Sequence, residues 1–103
     1  MRPDVTLQID LREGFSGEAV TVRLDGKDQW QTPGARTRLQ IGLADSFAMD
    51  VAPGQHRLEV QVPERDLQTS VDLNIESPCW VGIELTRAGE LTARVSETAF
   101  RYA

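Results

Sequence analysis

The chain has 103 residues, 40% of them apolar and 26% charged, a globular composition that excludes disorder and low complexity. Sixteen acidic against eleven basic residues give a formal net charge of −5, and the densest basic stretch is only Arg36-Thr37-Arg38; nucleic acid is therefore not expected as a partner, and anionic membrane surfaces are disfavoured by the same sign. No apolar stretch approaches the ~20 residues that cross a bilayer, so membrane insertion is not expected.

Apolar residues recur with a period of two along the chain, the pattern of strands that bury one face. Val5, Leu7, Ile9 and Leu11 open the series, and Gly14-Phe15-Ser16-Gly17 reads as the turn that follows. Val20, Val22 and Leu24 run into Asp25-Gly26, a tight-turn pair. After Pro33-Gly34 the spacing predicts a strand through Leu39, Ile41 and Leu43, and another through Phe47, Met49 and Val51. Pro53-Gly54 precedes Leu58, Val60 and Val62; Leu67, Val71, Leu73 and Ile75 come next. Ser77-Pro78 and Ala88-Gly89 then bracket Val81, Ile83 and Leu85, and Leu91, Ala93 and Val95 close the series. Leu91, Val95, Ala99 and Tyr102 also fit a helical spacing; a strand to about residue 96 is preferred, with the conformation of 97–103 left open. The expected fold is all-β: one immunoglobulin-like antiparallel β-sandwich over residues 1–103, of about seven to eight strands, with a small β-barrel as the alternative.

Register arithmetic sharpens this, because paired residues of a hairpin share a face. A three-residue loop Arg87-Ala88-Gly89 pairs Leu85 with Leu91 and Ile83 with Ala93, apolar to apolar, with Gly89 in the left-handed position such loops favour. A two-residue loop at Pro53-Gly54 would pair Met49 with Leu58 and Phe47 with Val60. Pro-Gly also suits a type II turn, so an arch between two sheets is the competing reading. A two-residue turn at Asp25-Gly26 pairs Thr21 with Trp30 and puts Trp30 on the solvent face, opposite in parity to Val20 and Val22. Trp80 shares its side with Gly82 and Glu84 rather than with Val81, Ile83 and Leu85. Trp30 and Trp80 are thus the candidate partner or ligand surface, although a bulge or a longer loop would turn Trp30 inward.

Catalytic chemistry is not apparent. The sequence holds no Gly-rich phosphate loop, no His-Glu-x-x-His and no Cys-x-x-Cys, and Gly14-Phe15-Ser16-Gly17 lacks the spacing of a nucleophile elbow. The single histidine, His56, reads as a partly covered ring beside a turn. One histidine and one cysteine cannot make a typical zinc site, and Asp25, Asp28 and Asp45 lack the spacing of a calcium loop. Cys79 has the parity of Val81 and reads as a small buried hydrophobe. A lone cysteine fits a reducing compartment, and the start of the chain has no signal-peptide character. The expected location is cytoplasmic for the chain as written and extracytoplasmic if it is an excised domain. No catalytic residue, cofactor or metal is assigned.

Val22-Arg23-Leu24-Asp25-Gly26, followed by Val51-Ala52-Pro53-Gly54-Gln55-His56-Arg57-Leu58-Glu59-Val60, resembles the small immunoglobulin-like sandwiches of bacteria, of the PEGA and carboxypeptidase-regulatory-like kind. The likeness covers roughly residues 18–62; the chain lacks the short Pro-Glu-Gly-Ala-type signature. It implies a non-catalytic adhesion or scaffolding module and transfers no functional residue. The expected function is a protein-interaction module that uses a sheet face or edge, homodimerisation included, since few inward charges or edge prolines guard the edges. Carbohydrate binding, with a tryptophan stacked on a sugar ring, is the alternative.

Overall fold

The structure, a computed structural model, describes residues 3–102. Eight strands follow in order: β1 (Val5–Leu11), β2 (Ser16–Leu24), β3 (Lys27–Arg36), β4 (Asp45–Val51), β5 (Gly54–Val62), β6 (Leu67–Ile75), β7 (Cys79–Leu85) and β8 (Leu91–Ser96). They form two four-stranded sheets, β4-β1-β7-β8 and β3-β2-β5-β6. The first sheet mixes directions, since β1 runs parallel to β7 and antiparallel to β4. Among the described residues no ladder joins the two sheets, so the fold is a β-sandwich rather than a closed barrel.

The inward rows are those of the alternating pattern. Leu7, Ile9, Leu11, Val81, Ile83 and Leu85 face Val20, Val22, Leu24, Leu58, Val60, Val62, Leu73 and Ile75, all buried. Phe15 joins them from the β1–β2 connection. Burial of such side chains is worth roughly 1.5–3 kcal/mol each before the entropy cost of ordering the chain.

Two connections follow the expected turn chemistry. Asp25 and Gly26 both have positive φ (53° and 82°), the type I′ geometry that matches the strand twist. In the β7–β8 loop the Gly89 N–H donates to the Thr86 carbonyl (2.9 Å) and the Thr86 N–H to the Glu90 carbonyl (2.8 Å). Leu85 accordingly pairs with Leu91 and Ile83 with Ala93. Pro53-Gly54 makes no hairpin: β4 lies in one sheet and β5 in the other, so the link arches between them and Met49 does not pair with Leu58.

Two expectations are corrected, the strand through Leu39, Ile41 and Leu43 and the turn at Pro33-Gly34. Leu39, Ile41 and Leu43 form no strand; Arg38 and Leu43 make a single bridge around a turn, and Leu39 is 93% exposed. The strand of this region is β3, which reaches Arg36 and includes Pro33. An edge position tolerates the proline, whose missing N–H can face away from the ladder. β8 ends at Ser96, the expected strand end, and residues 97–102, whose conformation the pattern leaves open, are neither helix nor strand; residue 103 lies outside the described residues.

Candidate interaction surface

Trp30 does not take the solvent face. Leu24 pairs with Lys27 and Arg23 with Asp28, but Val22 pairs with Trp30, so Gln29 is an extra residue in β3. This bulge shifts the register by one and brings Trp30 to the side of Val22. There it is half-buried against the core and stacked on Phe47 of β4, ring centroids 5.2 Å apart and planes within 5°. The pair closes the gap where β3 and β4, the outer strands of the two sheets, approach each other. Trp80 does face outward, between Gln8 of β1 and Ser96 of β8, and is half-buried. The structure does not bring the two tryptophans together: they lie on different sheets.

The outer face of the first sheet holds a group that the alternating pattern marks as wet. Asp10 is only 2% exposed. Its carboxylate accepts from Gln8 Nε2 (3.0 Å), Ser46 Oγ (2.8 Å) and the Tyr102 hydroxyl (2.6 Å). Tyr102 arrives from the segment after β8, which lies across this face. Phe100 and Tyr102 both flank the Arg12 guanidinium, 4.5 and 5.6 Å from their ring centroids. Burial first, then the Asp10 hydrogen bond and charge, push the Tyr102 phenol above its ordinary range. Gly82 makes room for this strap, since a Cβ there would stand 2.9 Å from both Arg12 Cδ and Phe100 Cζ. Arg12 also reaches Glu84 (3.3 Å). The alternating Phe100-Arg101-Tyr102 was the available sequence signal for the strap.

His56 clasps two turns at one end of the sandwich. Its Nδ1 lies 2.6 Å from Asp25 Oδ2 and its Nε2 2.6 Å from the Ala52 carbonyl. Both neighbours are acceptors, so the ring satisfies both only when it carries two protons. The Ala52 carbonyl, then Asp25, raise the pKa of His56. The Arg57 amide, which donates to Asp25 Oδ1 (2.8 Å), and then His56 lower that of Asp25. A ring donating from both nitrogens has no lone pair with which to accept a proton. Cys79 is half-buried, and burial, then Glu97, push its thiol up, away from the reactive thiolate. Among the described residues, no group of three or more His, Cys, Asp and Glu side chains could hold a metal ion.

At the opposite end from that arch, a cleft of about 450 Å³ opens between the β1–β2, β3–β4 and β7–β8 connections, with Glu13, Thr37, Leu39 and Arg87 among its lining. Its floor is fixed by Thr37 Oγ1, which donates to the Arg12 carbonyl (2.7 Å) and accepts from the Phe15 N–H (3.0 Å).

The four outer strands differ in how they are guarded. β3 has Pro33 and three register irregularities. β4 places Asp45 and Asp50 along its length, and β6 carries Asp72, held by Arg57 (2.9 Å). β8 has no proline, no bulge and one charge, Arg94. The Thr86 N–H donates to the Glu90 carbonyl (2.8 Å) and the Glu90 N–H to Thr86 Oγ1 (3.0 Å), so the alternation of an antiparallel pair carried on from there turns the backbone groups of Leu91, Ala93 and Val95 away from β7, toward the open edge. Val95, in the inward row, remains 46% exposed.

No protein-family model matches the chain, and neither does any curated protein. Among solved structures, the chain is similar to the NMR structure of a protein from Eubacterium rectale, with a TM-score of 0.59 and 12% identity over 96% of this chain and 94% of the other. At that identity the likeness concerns the fold.

Proposed function

We propose that the protein is a non-catalytic interaction module that binds by strand addition: an extended segment of a protein partner pairs with the open edge of β8. The observation that carries this reading is the edge itself, six residues from Leu91 to Ser96 without proline or bulge, with Val95 46% exposed beside it. Such an edge offers main-chain hydrogen bonds for affinity and alternate side chains for selectivity. The commitment of both His56 nitrogens to structural partners supports a non-catalytic role. The resemblance to PEGA-type modules points the same way, toward adhesion or scaffolding. The carbohydrate alternative loses its best aromatic, since one face of Trp30 is taken by Phe47.

The test uses a soluble extended peptide of alternating valine and threonine with a central glutamate. Peptide at millimolar concentration is expected to slow amide hydrogen exchange at Leu91, Ala93 and Val95 several-fold, and Ala93→Pro, which removes one outward N–H, to abolish the effect with the circular dichroism spectrum unchanged. Unaltered exchange at all three amides rejects strand addition at this edge.

A further inference from the structure

We infer that one partner of the β8 edge is a second copy of the same chain, paired antiparallel with Glu90 of each copy opposite the partner's Arg94. This rests on the strand-addition reading above and adds both the occupant and the register. A two-fold axis perpendicular to the sheet keeps each face intact, so outward side chains meet outward side chains. On β8 the outward row is Thr92, Arg94 and Ser96, extended by Glu90 through its bond to Thr86. Centring the axis on Thr92 sets Glu90 against the partner's Arg94 twice and Thr92 against the partner's Thr92. Opposite charges and threonine pairs are both favourable across strands. The backbone groups free for this pairing are those of Leu91 and Ala93, which become each other's hydrogen-bonded neighbours.

Charge selects this edge over the others. Arg94 has no ion pair among the described residues: it stands opposite Gly82, and the nearby Glu84 is taken by Arg12. Glu90 likewise has no ion-pair partner among them. β4 offers its own copy Asp45 and Asp50 with no cation on the strand, and the one charge of β6, Asp72, is already paired with Arg57. β3 carries both signs but is broken by Pro33 and its bulges. The same side of the molecule also presents half-buried Leu67 and Val71 of β6 and Leu91 and Ala93 of β8, with Val95 beside them. Pairing of two β8 strands would continue each four-stranded sheet into one of eight and cover this apolar margin. An interface of one short strand from each copy is below the ~1,200 Å² of stable complexes, so the association is weak and visible only at high concentration.

Sedimentation equilibrium across a concentration series, at about 0.15 M salt, reads the outcome. The wild type is expected to dimerise in the high-micromolar range. Arg94→Glu, which sets like charges opposite each other twice, should weaken the dimer about tenfold, as should Glu90→Arg. The double variant Glu90→Arg/Arg94→Glu should return to wild-type affinity. Both side chains, Glu90 and Arg94, are exposed, so folding is not at stake. A wild type that stays monomeric at millimolar concentration overturns self-pairing. So does a dimer that the double variant fails to restore. If the valine–threonine peptide still protects the β8 amides in either case, strand addition stands and only the second copy falls; if it does not, both fall.

Discussion

The two sides of the sandwich are closed by different means. Where β3 and β4 meet, the stacked rings of Trp30 and Phe47 fill the gap between the sheets. Where β6 and β8 meet, only aliphatic and small side chains, Leu67, Val71, Leu91 and Ala93, cover the core, and Val95 is left 46% in solvent. The guarded edge and the aromatic plug occur together, as do the unguarded edge and the thin cover. A sheet that must not pair at one edge gains from bulges and a proline there; one that pairs at the other edge gains from neither. On the proposed strand-addition reading, the contrast leaves stability to one side and recognition to the other.

The first way to break the contrast is to remove the plug. Trp30→Ala deletes the stack and opens the β3–β4 side, with an expected loss of about 2–3 kcal/mol in chemical denaturation. Trp30→Phe should recover much of it. If Trp30→Ala costs no more than an ordinary surface change, the aromatic pair does not close that side.

A smaller loss is expected from the strap, which ties down the chain just beyond β8. Tyr102→Phe removes the donor to Asp10 Oδ2 and leaves a buried carboxylate oxygen short of a partner, at a cost of about 1–2 kcal/mol. Thermal unfolding measures it. Hydrogen exchange of the 97–102 amides would show whether the strap loosens before the sheet does.

Smaller again is the effect of the clasp at the end of the β3–β4 side. His56 has a raised pKa, so its contribution is complete below the unfolded value near 6.5 and is lost as pH rises through the higher folded value. Asp25 has a lowered pKa; its contribution is present above about 3.9 and is lost as pH falls through its folded value. The clasp is therefore strongest between roughly pH 4 and 6.5. His56→Gln is expected to cost about 1 kcal/mol near pH 6 and to flatten the decline in melting temperature toward pH 8. An unchanged slope in the variant would show that the pH dependence comes from another group.

The inward rows were legible in the sequence because burial of one strand face leaves a period of two, and residues such as Ile9, Val22, Val60 and Ile83 obey it. The Leu85–Leu91 register was legible because Gly89 fixes the loop length. What was not legible depends on partners distant in the chain. The Leu39-Gln40-Ile41-Gly42-Leu43 alternation has no neighbouring strand to pair with, and it folds as a turn. Gln29 carries no mark of a bulge, yet that one extra residue moves Trp30 from the solvent face to the core side. Asp10 alternates like any solvent-facing residue and is buried by Tyr102, 92 positions away. Of the proposed interaction surface, the idea of an open edge was legible but not which edge, since strand order decides that β8 is an outer strand.

The finest test lies at that edge. Val95 occupies an inward position by parity, opposite Val81, yet the second sheet does not reach far enough to cover it. If its exposure belongs to recognition rather than to folding, Val95→Lys should change the stability of the monomer by no more than about 0.5 kcal/mol, as at an ordinary surface site. The same substitution puts a charge on each copy at the apolar margin and should abolish dimerisation in the sedimentation series. A large loss of monomer stability would instead mean that Val95 is a working part of the core, and that the two sides of the sandwich are closed alike.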